Sequence, residues 1–200
     1  NPLSSNVPDA SPALPSSAPP SPSVAPAIQA DSSRYENEAI GIRFTMPTDF
    51  VWDETQPQPN LMGITATKTL ELWQQEKFKA IQAGAYAHGT ELPPNVRIAI
   101  YPNLDRLSVK DWVDRYSEQY VQPRDFQTRS IAGQTGLSFR STGLYELETV
   151  VLPNLSGDEV IAISLATVGV ANVDEPNQRA FAQVVSSFEL MEQANAVTGS

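Results

Sequence analysis

Glu146 and Glu148 are the residues whose type and spacing come nearest to catalytic chemistry. Side chains alternate along a strand, so acids two positions apart point to one face. Carboxyl groups about 5 to 10 Å apart can work as acid and base, or as acid and nucleophile, on a glycosidic bond. Like charges on a solvated strand face are the commoner meaning of this pattern. A carboxylate-dependent hydrolase using Glu146 and Glu148 is therefore the alternative, and not the leading reading. Asp53-Glu54, Asp158-Glu159 and Asp174-Glu175 fall near expected element ends and read as turn and helix-start residues. Calcium at those loops is conceivable, but the acids lack EF-hand spacing.

His88 is the single histidine, in Tyr86-Ala87-His88-Gly89-Thr90-Glu91, and any serine triad or zinc site would have to use it. With no second histidine at ligand spacing it reads as a loop residue beside a turn glycine. Cysteine is absent, which removes disulfides, thiolate zinc sites and cysteine nucleophiles together. Gly-x-Ser-x-Gly, His-Glu-x-x-His, the P-loop and Gly-x-Gly-x-x-Gly are absent too. Asn154-Leu155-Ser156 matches the glycosylation acceptor pattern, a tripeptide that arises often by chance. No catalytic, cofactor-binding or metal-binding residue is assigned. The expectation is a protein without enzymatic activity and without a cofactor.

Charge narrows the partners. The net charge is −10, of which Asp9 and Asp31 supply −2, leaving −8 after Ser33. An acidic body repels phosphate backbones and anionic lipid, so nucleic acid is not an expected partner. No run approaches the 18 apolar residues that span a bilayer.

Composition breaks near Ser33. Residues 1–33 hold eight prolines, nine serines and six alanines, with no Lys, Arg or aromatic residue. Proline at this density removes backbone donors and favours extended geometry, so the segment reads as a disordered linker. Fully extended, at ~3.1 Å per residue, it reaches on the order of 100 Å. The start at Asn1 without Met fits a processed or trimmed chain. Behind a lipid-modified cysteine, such a segment would be the spacer of a bacterial lipoprotein.

The rest must position whatever chemistry exists. Ile40, Ile42, Phe44 and Met46 alternate up to Pro47, a half-buried strand, and Phe50-Val51-Trp52 begin a second. Ile64 with Thr65, Thr67 and Thr69 reads as a strand; Gln74 to Ala83 reads as a helix stopped by Gly84. Val96, Ile98 and Ile100 form another strand. Ser108 and Asp111 stand as N-cap and N3 of a helix whose apolar face is Val109, Trp112, Val113, Tyr116 and Tyr120, ending at Gln122-Pro123. Those aromatics at helical spacing read as core. Trp52 and Trp73 become interface anchors only if exposed.

Phe126–Ile131 and Gly136–Ser141 pair around Ala132-Gly133-Gln134. Leu144–Leu152 and Val160–Val170 form a hairpin with Ser156-Gly157-Asp158 at its turn. Val160 to Ala166 is apolar on both faces and needs layers above and below. A last helix is capped by Asp174 or Glu175, carries Pro176 in its first turn, and buries Ala180, Phe181, Val184, Val185 and Phe188. This is an α+β domain over residues 34–190, an antiparallel sheet sandwiched by two or three helices, with a frayed end at 191–200.

Three stretches carry a family resemblance. Tyr35 with Gly41-Ile42-Arg43-Phe44-Thr45-Met46-Pro47, the step Ile131-Ala132-Gly133-Gln134, and Phe181 with Val185-Ser186-Ser187-Phe188 resemble the PsbP/Mog1-like group. The segment from Lys68 to Leu92 is longer than that pattern, and no counterpart of metal-binding histidines is present. The resemblance implies an antiparallel sheet between helices, without catalysis. It implies an extracytoplasmic extrinsic or assembly-assisting protein, in the periplasm or thylakoid lumen and at photosynthetic membranes, in a cyanobacterial-type lipoprotein version. Mog1 proteins bind a nuclear small GTPase, a setting the Pro/Ser/Ala segment does not suit. The expected function is a non-enzymatic, membrane-tethered binding or assembly module, monomeric, with a membrane protein complex as partner. A structural envelope protein is a further alternative.

Overall fold

The computed structural model describes residues 34–55, 63–87, 91–116, 118 and 120–193. The expected linker at 1–33, residues 194–200 and His88 lie outside the described residues. Seven antiparallel strands form the main sheet in the order β3-β4-β5-β9-β8-β7-β6. They are β3 (Phe50–Thr55), β4 (Lys68–Gln74), β5 (Val96–Pro102), β6 (Arg124–Ile131), β7 (Gln134–Thr142), β8 (Glu146–Pro153) and β9 (Glu159–Thr167). A smaller sheet joins β1 (Arg34–Asn37), β2 (Ile42–Thr45) and β10 (Glu189–Leu190). The helices among the described residues are α1 (Gln75–Gln82), α2 (Val109–Arg115) and α3 (Ala171–Ser187).

Strand β9 shows why the sheet needs two covers. Ile161, Ile163 and Leu165 join a core with Phe44, Phe181 and Val184, from β2 and α3. Val160 and Ala162, on the other face, pack with Trp112 and Val113 of α2. Both faces are buried, as an apolar run without alternation requires. Each buried Val, Leu, Ile or Phe among them contributes roughly 1.5–3 kcal/mol on leaving water. The α+β sandwich expected from the sequence is the architecture found.

Local chemistry explains several boundaries. Asp111 N–H donates to Ser108 Oγ at 3.2 Å, the N-cap expected there, while the Asp111 carboxylate accepts the Ser108 hydroxyl at 2.6 Å in place of its backbone N–H. Ala132 and Gly133 turn the β6–β7 hairpin with φ of +50° and +75°, the pair of left-handed residues that a two-residue turn needs. Gly41 has φ +65°, and a Cβ there would stand 2.7 Å from the Met191 carbonyl oxygen; only glycine lets the chain after β10 lie against it.

Other boundaries differ from the sequence reading. Ile64 to Thr67 is not a strand; β4 begins at Lys68. Ile64 and Ala66 point inward and Thr65 and Thr67 outward, so the alternation marks side-chain direction without a ladder. Helix α2 ends at Arg115, and Tyr120 lies beyond it, its ring edge-on to Phe139 at 4.8 Å. Tyr120 meets the core from beyond the helix, through Phe139. Strand β9 ends at Thr167 and α3 starts at Ala171, ahead of Asp174. The Asp174 carboxylate reaches back from the first turn and accepts the N–H groups of Val168, Gly169 and Val170 at 2.8–3.0 Å. Pro176 accordingly sits inside the helix rather than in its first turn.

The tryptophans are settled by packing. Trp73 is buried, and Trp52 lies edge-on to Tyr35 at 5.9 Å, half covered, so neither is an exposed anchor. Tyr35 stacks on Phe44, which stacks on Phe188, tying the small sheet to α3. Burial pushes the Tyr35 phenol up to about 12.

Candidate functional site

Helix α3 packs against β9, β5 and β2, and no described helix covers the same side of β6 and β7. The step leaves a groove of about 760 Å³ between α3 and the outer strands. Ile131, Leu165, Phe181 and Val185 make its apolar lining, and Arg129, Arg140, Glu146 and Glu148 its charged one. A second hollow of about 390 Å³ lies over β6 and β7 and shares Arg129, Arg140 and Glu148 with the first.

Glu146 and Glu148 thus share a strand face and line a concavity, as alternation predicts. Their surroundings differ from those of a hydrolase pair. Glu146 is half exposed, is ion-paired to Arg124, and accepts Thr142 Oγ1 at 3.1 Å. Arg124 also donates to Thr142 Oγ1 at 2.8 Å. This set clips together the neighbouring ends of β6, β7 and β8. A glycosidase acid needs apolar surroundings that keep it protonated, and Glu146 instead has a guanidinium against it. Glu148 sits opposite Arg140 on β7 and Leu165 on β9.

Arg129 and Arg140 hold no ion pair among the described residues, whereas Arg34, Arg43, Arg115, Arg124 and Arg179 each do. Nothing in the sequence singles these two out. Only the placement of β6 and β7 beside the uncovered groove does so.

The opposite face carries a second polar row, Asp53–Glu71–Arg97, in direct register across β3, β4 and β5. Burial pushes the Glu71 carboxyl up, Arg97 pulls it back, and Asp53 adds repulsion. Asp53 is raised by burial and by Glu54. Among the described residues no three His, Cys, Asp or Glu side chains converge in a metal-holding group.

One end of the main sheet is apolar and open. The register places the end of β4, the start of β5, the start of β6, the end of β7, the start of β8 and the end of β9 together there. The connections at that end and the first turn of α3 expose Leu92, Val121, Leu144 (69%), Val168, Val170 and Val173. Backbone and tyrosine contacts hold them close. Tyr145 Oη donates to the Leu92 carbonyl at 2.5 Å, Thr142 N to the Val121 carbonyl at 2.8 Å, and Ala166 N to the Asn95 carbonyl at 3.1 Å. At the other end, Leu104 and Leu155 are the exposed large apolar residues.

No protein-family model and no curated protein sequence matches this chain. Solved structures do. The solution structure of cyanobacterial PsbP (CyanoP) from Synechocystis sp. PCC 6803 aligns with a TM-score of 0.50 and 16% identity, covering 81% of this chain and 95% of that one. A crystal structure from Bacteroides thetaiotaomicron VPI-5482 aligns with a TM-score of 0.39 and 8% identity, covering 80% of this chain and 48% of that one. The first likeness establishes a PsbP-like fold.

Proposed function

We propose that the domain is a non-enzymatic docking module on the periplasmic or thylakoid-lumenal side of a photosynthetic membrane. There it binds a membrane protein complex through the apolar sheet end, with residues 1–33 as its tether. The observation that carries the reading is the concentration of Leu92, Val121, Leu144, Val168, Val170 and Val173 at that end. Exposed apolar groups gathered in one place mark interaction sites on soluble domains. Glu91 and Glu175 flank them, and the whole chain is acidic, which favours a protein surface over anionic lipid. The PsbP-like fold supports the setting. No helix among the described residues is long and apolar enough to cross a membrane.

The test is a binding assay on thylakoid membranes stripped of extrinsic proteins. The full chain should bind saturably. The double variant Leu144→Asp, Val168→Asp should bind at least about tenfold more weakly with an unchanged thermal midpoint. Equal binding by the two proteins, or no binding by either, rejects the reading.

A further inference from the structure

We infer that the free edge of β6, with the groove beside α3, seats an extended acidic segment of a protein partner as an added strand whose carboxylates meet Arg129 and Arg140. The inference rests on the reading of the domain as a docking module and names a second surface and its chemistry.

Among the described residues, strand β6 is terminal in the sheet order and pairs only with β7. Asp125 to Ser130 are exposed along it. An edge strand offers a row of backbone donors and acceptors to any extended chain that fits. Part of this edge is closed to pairing. The register shifts between Arg124 and Gln127, and Asp125 has φ +58°, so a bulge bends the first third. The regular ladder runs from Gln127 to Ile131.

Arg129 stands at the centre of that stretch, which decides between occupants. Two copies of β6 pairing antiparallel over Gln127–Ile131 would set Arg129 opposite its own copy, and like charges directly opposed are destabilising. A strand with a carboxylate at that position replaces repulsion with a cross-strand ion pair. Arg140, one strand further in, has Glu148 opposite it in register but makes no ion pair among the described residues, although the chain has 23 acids to 13 bases. Arginine's planar fork suits carboxylate recognition. Next to Arg129 on the same face, Ile131 opens the apolar lining of the groove, which accepts alternate apolar side chains of an added strand.

The experiment uses the isotope-labelled full chain and three synthetic peptides, acetyl-Val-Thr-Glu-Thr-Glu-Thr-Val-amide, whose Glu and Val share one face, and its analogues with Gln or Lys in place of Glu. The Glu peptide should shift the amide resonances of Gln127–Ile131 and slow exchange of their outward N–H groups, and the Gln and Lys peptides should not. The double variant Arg129→Glu, Arg140→Glu should lose affinity for the Glu peptide about tenfold or more and take up the Lys peptide instead. A mere structural disturbance would not swap the preference. Shifts confined to other strands, equal response to the Gln peptide, or dimerisation through β6 would overturn the inference. The Leu144→Asp, Val168→Asp protein should still bind the Glu peptide. Peptide binding without membrane binding rejects the docking reading, and membrane binding without peptide binding rejects this inference alone.

Discussion

Strand β9 lies at the centre of the main sheet with α3 on one face and α2 on the other, and its residues from Val160 to Ile163 are all buried. Strand β6 ends the same sheet with neither face closed, and of its eight residues only Ile131 is buried. Both belong to one antiparallel ladder, so backbone pairing does not distinguish them. The number of covering layers does. Covering turns a strand into core and makes it rigid; leaving it bare makes its backbone and side chains available to a partner. The groove, with Arg129 and Arg140 in its lining, occurs where cover stops.

The largest test of that contrast is truncation at the centre. Ile163→Ala should destabilise by about 2–5 kcal/mol, because the covered site cannot collapse around the lost atoms. Thr128→Ala on β6 should change stability by no more than about 0.5 kcal/mol. Urea unfolding of both proteins measures this. A comparable loss from Thr128→Ala would mean that β6 is covered after all.

Polar contacts should rank the same way. Asp174→Ala removes a buried carboxylate that accepts three backbone N–H groups and should cost about 2–3 kcal/mol by urea unfolding. Glu146→Ala removes a half-exposed ion pair on the outer strands and should cost about 0–1 kcal/mol. Equal losses would erase the distinction between the two regions.

The smallest effect sharpens the comparison on the opposite face. Burial raises Glu71 above its ordinary value of 4.5, so the folded state keeps a proton that the unfolded chain has released. Stability contributed by this group is therefore complete below pH 4.5 and declines as pH rises through the raised value. Glu71→Gln should flatten that slope and raise the thermal midpoint slightly at pH 7. A fall in the midpoint at pH 7 would show that Arg97 outweighs burial.

Much of this layout is legible in residue order. Ser108 with Asp111 marks a helix start, Ala132-Gly133 a tight hairpin, and the run Val160–Ala166 a strand needing two covers. Each signal is local, involving side chains and backbone within a turn or a strand. Reading failed where a pattern had two structural solutions. Ile64 and Ala66 alternate like a strand but belong to an unpaired segment, and Tyr120 keeps helical spacing from beyond the helix. Type and position offer Asp174 or Glu175 as the cap, whereas the Asp174 carboxylate caps from inside the helix.

The candidate surfaces were the least legible part. Glu146 and Glu148 could be put on one face by alternation alone, but the Arg124 and Thr142 that occupy Glu146 come from other strands. The apolar end collects Leu92, Val121, Leu144 and Val168 from four separate connections. The amino-acid order determined the α+β class, the acidic cysteine-free character and most element starts, because propensity, capping and periodicity act over a few residues. Tertiary structure alone decided which strand edge stays bare, which arginines line the groove and which loops share an end, because these depend on register between segments that only packing brings together.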